Sequence, residues 1–358
     1  MAALALVANA ASAQVNYNVR SYRVVLDQAT VNSLTGNPTP AVNRFGVAVD
    51  TASNTLYAFG QQATAPNQDR LISVNLNTLS ASLLNGNLDG EAAVSSFPTN
   101  FNISSRYVGF DGGRLLAASQ NGGTLTALLE VNPATGVLTD LNIGNDSHPI
   151  VGFVSLGGNQ YALQEGSFSG GTGELRLVTI GNAAGPSIEV TANAQGIARN
   201  AAGDLFVIAQ TGTGAATIKR IQNVTSTPVI TDVTPTSTAW TSENMTNTRS
   251  FAIANEDFFV YKRGASTATD ARLYIVQGTN VITLTGADIA AGISALPNFS
   301  GSTFDIQDTH GLAVVPVSAT QVRAYFAARS VAGGWAIAEL TFGTGAPPAG
   351  VTDWALFE

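Results

Sequence analysis

Hydrophobic residues in this chain fall in short runs, and one paired arrangement of runs recurs. A small residue flanked by apolar ones opens each pair, a turn follows, and a second apolar run completes it. Gly46-Val47-Ala48-Val49-Asp50 passes through Ser53-Asn54 to Leu56-Tyr57-Ala58-Phe59. Val108-Gly109-Phe110 turns at Asp111-Gly112-Gly113 into Leu115-Leu116-Ala117, and Val151-Gly152-Phe153-Val154 turns at Gly157-Gly158-Asn159 into Tyr161-Ala162-Leu163. Gly196-Ile197-Ala198, Phe251-Ala252-Ile253 and Gly311-Leu312-Ala313 open three more pairs. Apolar runs bounded by Gly, Asn and Asp are the signature of hairpins. A second hairpin follows each first one, as in Arg70-Leu71-Ile72-Ser73-Val74 before the turn at Asn75 to Thr78, and Leu128-Leu129-Glu130-Val131 before Val137-Leu138.

Four strands per repeat and six repeats predict an all-β chain folded as a six-bladed β-propeller, or seven blades if the long first interval conceals one. The small residues stand at 46, 109, 152, 196, 252 and 311, a mean spacing of 53 residues. Their recurrence has a mechanical reason. The first strand of every blade faces the crowded axis, where Gly or Ala lets backbones approach. Tyr22, Val24 and Leu26 alternate with Ser21, Arg23 and Asp27 and predict a half-buried strand ahead of the first blade. The sixth repeat lacks an outer strand after Leu340-Thr341-Phe342, so this N-terminal strand is expected to close the ring there. One helical pattern, Ala287 to Leu296 with Ile289, Ile293 and Leu296 on one face, reads as an insertion between blades five and six.

The Gly-x-Ala strand openings and the turn Val131-Asn132-Pro133-Ala134-Thr135-Gly136 resemble secreted bacterial propellers of the broad NHL and YncE-like kind. The resemblance covers about residues 20 to 345 and implies a fold rather than a substrate. No Trp-Asp signatures accompany it, which separates the chain from WD40 propellers.

Composition narrows the function classes. The chain has 358 residues, 45% of them hydrophobic, and no cysteine. Only 11% are charged, and Lys219 and Lys262 are its two lysines. Lysine is a principal device for keeping sheet edges apart, so its near absence marks either a surface that tolerates contact or an organism that uses little lysine. A net charge of −8 with no basic run argues against nucleic-acid partners and against an electrostatic hold on anionic lipid. Ala2 to Ala8 followed by Ala11-Ser12-Ala13 reads as a signal peptide cut before Gln14. No stretch reaches the roughly 20 apolar residues of a membrane span. The expected organisation is a signal peptide at 1–13, a propeller at 14–343, and a spacer with an apolar tail at 344–358. Such a chain is expected to be secreted or at the cell surface, with the periplasm as an alternative.

Candidate chemistry is sparse. There is no Gly-x-Ser-x-Gly, and the only histidines, His148 and His310, fall in different repeats, so no catalytic residues are assigned. Asp305, Asp308 and His310 form a candidate metal cluster near the axis. Asn85 to Gly90 resembles half of a calcium loop but lacks its final carboxylate. Arg44, Arg106, His148, Gln195, Arg249 and His310 precede the inner strands and would ring one mouth of the channel as an anion-attracting funnel. Trp240 is a loop aromatic suited to stacking on a sugar. After the spacer Gly345-Ala346-Pro347-Pro348-Ala349, the residues Trp354, Leu356 and Phe357 form an apolar tail suited to self-association, either on its own blade or on a neighbouring copy. The leading expectation is a non-catalytic extracellular scaffold or self-associating surface, matrix or filament subunit needing no cofactor. The alternatives are a secreted hydrolase or lyase with calcium or another divalent metal in its channel, and a carbohydrate- or peptide-binding module.

Overall fold

The computed structural model describes residues 17–36, 42–62, 70–86, 88, 102–121, 125–143, 150–165, 172–182, 187–192, 194–209, 214–243, 248–262, 271–294, 304–305, 311–330 and 335–344. The chain opens with β1 (Asn18–Asp27) and α1 (Gln28–Thr35). Blade 1 follows as β2 (Val42–Asp50), β3 (Thr55–Gln62), β4 (Arg70–Asn75) and β5 (Ala81–Asn85). Blade 2 is β6 (Asn102–Asp111), β7 (Arg114–Asn121), β8 (Leu125–Val131) and β9 (Leu138–Asp140). Blade 3 is β10 (Ile150–Gly157), β11 (Gln160–Glu165), β12 (Thr172–Thr179) and β13 (Ser187–Ala192). Blade 4 is β14 (Ala194–Arg199), β15 (Leu205–Ala209), β16 (Thr217–Gln222) and β17 (Val229–Asp232), followed by the short helix α2 (Thr238–Thr241). Blade 5 is β18 (Thr248–Ala254), β19 (Asp257–Lys262), β20 (Arg272–Gln277) and β21 (Asn280–Thr285), followed by α3 (Gly286–Ser294). Blade 6 gathers β22 (Phe304–Asp305), β23 (Leu312–Ser318), β24 (Gln321–Ser330) and β25 (Trp335–Gly343), with β1 added outside β25.

The ring has six blades, and the N-terminal strand closes it as expected. β1 runs antiparallel to β25, with Tyr22 opposite Leu340 and Val24 opposite Ala338. The first and last parts of the propeller are thereby locked into one sheet. The helix α3 braces this closure from outside. Its entry is capped reciprocally, with Asp288 N–H donating to Thr285 Oγ1 at 3.1 Å and Thr285 N–H to Asp288 Oδ2 at 2.8 Å. A side chain at Gly292 would lie 2.2 Å from the Tyr22 ring, so glycine there lets the helix rest on β1.

Blades pack face to face, which explains why their second strands read as unbroken apolar runs. Leu205 to Ala209 is buried at every position because sheets cover it on both sides. Leu71 joins a cluster with Leu115 and Ala117 of blade 2. Ile72 and Val74 face the opposite way, into a cluster with Tyr325, Ala327 and Ile337 of blade 6. Each fully buried aliphatic side chain in these seams contributes about 1.5–3 kcal/mol.

The inner glycines show the crowding that their recurrence implied. A Cβ on Gly311 would stand 2.6 Å from Val47 N and 2.9 Å from Gly46 Cα, and one on Gly152 would stand 3.1 Å from Ile197 N.

Two helices lay outside the sequence reading, α1 and the four-residue α2. The helix α1 is held by Asp27, whose Oδ1 accepts from Thr30 N–H at 2.8 Å, and it ends at Gly36 with φ 65°. Val31 is its one buried residue, too little for an apolar stripe to show.

Candidate functional site

The inner strands all run in the same direction along the axis, so the ring has two different faces. The longest connections, 86–101, 233–247 and 286–311, leave the face where inner strands begin. Those on the other face run from two residues, as at 112–113 and 255–256, to seven at 180–186.

Side-chain hydrogen bonds clip neighbouring blades together, most of them at the short turns. Asn85 Nδ2 donates to the Gly136 carbonyl at 3.1 Å, joining blades 1 and 2. Ser155 N–H donates to Asp111 Oδ2 at 2.5 Å across blades 2 and 3. Arg199 Nη1 donates to the Ser155 carbonyl at 2.9 Å, and Asn200 Nδ2 to Glu256 Oε2 at 2.8 Å. Asn255 Nδ2 reaches the Ser318 carbonyl at 2.7 Å, and Arg23 Nη1 reaches the Leu76 carbonyl at 3.2 Å. All six seams therefore carry a side-chain hydrogen bond. Asp111 is engaged in this way although burial raises its carboxyl above the usual carboxylate range.

The axial channel narrows to a cavity of about 150 Å³. Its wall includes Phe110, Phe153, Phe251 and Leu312, with Asp111 and Ser250 as polar contributors. Among the described residues, no three His, Cys, Asp or Glu converge as metal ligands.

The structure places the backbones of Arg44, Arg106, Gln195 and Arg249 in β2, β6, β14 and β18, at or near the starts of inner strands. Asp305 pairs with Arg329 between β22 and β24. The side chains of these five candidates lie outside the described residues, as do His148, Asp308, His310, Trp354, Leu356 and Phe357 altogether. In the calcium-like loop, the amide of Asn85 serves the blade clip and Leu88 is buried.

Trp240 overturns the reading of it as a sugar platform. It is fully buried, its Nε1 donates to the Ala216 carbonyl at 2.9 Å, and it meets Tyr274 edge-on at 5.6 Å. The indole secures α2 against blade 4, with no face left for a ligand.

Sequence reasoning did not pick out three other features. In blade 3, Glu165 is fully buried and takes Arg176 Nε at 2.8 Å, while Arg176 Nη1 donates to the Ile143 carbonyl at 2.9 Å. In blade 1, Arg70 is only 8% exposed. In blade 4, all four residues of the edge strand β17 are exposed, including Val229 and Ile230 at 48% and 41%. Alternation within β4 did hint at Arg70, which shares a side with the buried Ile72 and Val74.

No family model matches the chain, and no curated protein matches it. Solved structures do. A protein of unknown function from Dyadobacter fermentans aligns with a TM-score of 0.52 at 9% identity, over 93% of this chain and 99% of its own. The fucose-recognising lectin of Aleuria aurantia, a six-bladed propeller, aligns at 0.50 and 10% identity, over 86% of this chain and 96% of the lectin. The phage phi92 endosialidase aligns at 0.50 and 9% identity, over 95% and 71%. These likenesses establish the architecture. Of the resemblance drawn from the sequence, the β-propeller fold is what stands; no match singles out NHL or YncE-like propellers.

Proposed function

We propose that the protein is a non-catalytic extracellular propeller that acts as a scaffold by associating with further copies of itself. The observation that carries this reading is the edge strand β17. It ends blade 4 with four exposed residues, among them Val229 and Ile230, which project from opposite faces of the strand. An edge strand offers unpaired N–H and C=O groups to another chain, and natural proteins blunt such edges with lysine. The only lysine close to this edge is Lys219, which is tied to Asp232 at 2.6 Å at one end of the strand. The segment 351–358, with Trp354, Leu356 and Phe357, supplies apolar side chains for a strand added there. Contact between one copy's edge and another's tail is head-to-tail, and where it does not close it gives a filament.

The alternative of a hydrolase or lyase working in the channel has less support. Its candidate ligands Asp305, Asp308 and His310 lie outside the described side chains, so no geometry supports it.

Light scattering on residues 14–358 tests the reading against a chain ending at Gly343 and against an Ile230→Lys variant. Assemblies from the first chain and monomers from the other two support it. Three monomers, or three equal assemblies, refute it.

A further inference from the structure

Arg70 opens β4 in blade 1, opposite Gly60 of β3. It is 8% exposed, and its Nη1 is buried without a hydrogen-bond partner among the described residues. Three other arginines at or near the seams do make hydrogen bonds, although Arg23 Nε, like Arg70 Nη1, lacks a partner among the described residues. Arg199 and Arg23 donate to carbonyls of the next blade, and Arg176 holds Glu165. Arg70 differs from them in that the unpartnered atom is a terminal guanidinium nitrogen, Nη1, for which no hydrogen bond or ion pair is made among the described residues.

Its position follows from strand alternation. Leu71 faces blade 2, while Ile72 faces blade 6. Side chains along a strand alternate sides, so Arg70 shares the side of Ile72. It therefore enters the seam between the first and last blades. Its register partner Gly60 has no side chain to contribute beside it. Arg70 lies at the start of β4, on the end of the blade nearest the connection 63–69.

A buried guanidinium with an unmet donor is costly, because the desolvated charge lacks compensation. Burial also holds its pKa below the usual arginine value. A guanidinium presents parallel N–H groups at the spacing of two oxygens of one anionic group. We propose that the seam between blades 1 and 6 is an oxyanion-binding site anchored by Arg70, taking the carboxylate or sulfate group of a larger molecule or the free ion. The site is independent of the edge strand β17, which belongs to blade 4.

The test compares the full chain with Arg70→Met, which keeps the stem and removes the charge. Thermal unfolding is followed at constant ionic strength in chloride, acetate, sulfate and glucuronate. Sulfate stabilises most proteins by exclusion from the surface, and that contribution is common to both chains. The difference between them isolates the site. At ten times its Kd a bound anion raises the folded-to-unfolded ratio about elevenfold. That corresponds to a Tm rise of roughly 2 °C for a chain of this size. The expected result is this rise in the parent, its loss in Arg70→Met, and a Tm for Arg70→Met in chloride at or above the parent's. A response to acetate and sulfate alike marks the free ion as sufficient. A response to glucuronate alone marks an acidic sugar as the ligand. Equal responses in parent and variant overturn the proposal. So does a clear loss of stability of Arg70→Met in chloride, which would mean that the chain itself already satisfies the guanidinium.

Discussion

Gly311 carries the sharpest prediction for the fold. An added Cβ would lie 2.6 Å from Val47 N, 2.9 Å from Gly46 Cα and 3.0 Å from the Gly46 carbonyl carbon. All three are backbone atoms of the neighbouring inner strand, so no side chain can rotate away. Ordinary contact begins near 3.4 Å, and the blade 6 strand must retreat by nearly an ångström from blade 1. Overpacking of this kind costs about 1–3 kcal/mol, and rigid backbone neighbours place Gly311→Ala at the upper end. Alanine also restrains the unfolded chain, which returns about 0.4–1 kcal/mol. The expected net loss is about 2 kcal/mol. Gly109→Ala is the internal control. Its Cβ would meet only the Phe153 ring edge at 3.4 Å, so the two contributions nearly cancel. Gly152→Ala falls between them, with Ile197 Cγ2 at 2.9 Å. Urea unfolding followed by far-UV circular dichroism and tryptophan fluorescence gives the midpoints, and coincidence of the probes licenses the comparison. A Gly109→Ala loss equal to that of Gly311→Ala would refute axial crowding as the reason for the glycines.

Leu79 sits at φ 59° in a turn bonded like the one at Asn132, where Gly136 holds φ 72°. Leu79→Gly relieves that conformation and should raise the urea midpoint, by about 0.5–1 kcal/mol after the entropy of glycine is subtracted. Asp257 is pushed up to about 6, chiefly by burial, with hydrogen bonds from Gln277 and Tyr17 opposing the rise. A raised carboxyl binds its proton more tightly when folded, so its contribution is fully present below about pH 4 and is lost as pH climbs to about 6. Asp257→Asn should flatten that part of a Tm-against-pH curve and stabilise the protein near pH 7 by about 1 kcal/mol, allowing for the water that reaches the group. Trp240→Phe strips the Ala216 carbonyl of its donor and should cost about 1–3 kcal/mol by the same urea assay.

The architecture was legible because its signals are local. Hairpin turns, apolar runs and a small residue at each inner strand repeat six times, and the unpaired strand before the first blade found its partner in β25. The helix α1 escaped because two turns with one buried residue make no stripe, although Asp27 and Gly36 bracket it as caps. Trp240 misled because a loop position says nothing about burial, which depends here on Tyr274 from the next blade. The blade clips share that difficulty, since each is defined by a residue far away in sequence. The exposure of β17 also depends on what the rest of the fold leaves uncovered.

Because the chain has no cysteine, cross-linking addresses the scaffold reading without background. One protein carries Ile230→Cys, a second carries Ala355→Cys, and the two are oxidised separately and together. The account expects a disulfide-linked heterodimer from the mixture, and a ladder of higher species when both substitutions are placed in one chain. A double-substituted chain that closes only on itself, or a mixture giving no heterodimer, would contradict the claim that this propeller works by joining copies of itself.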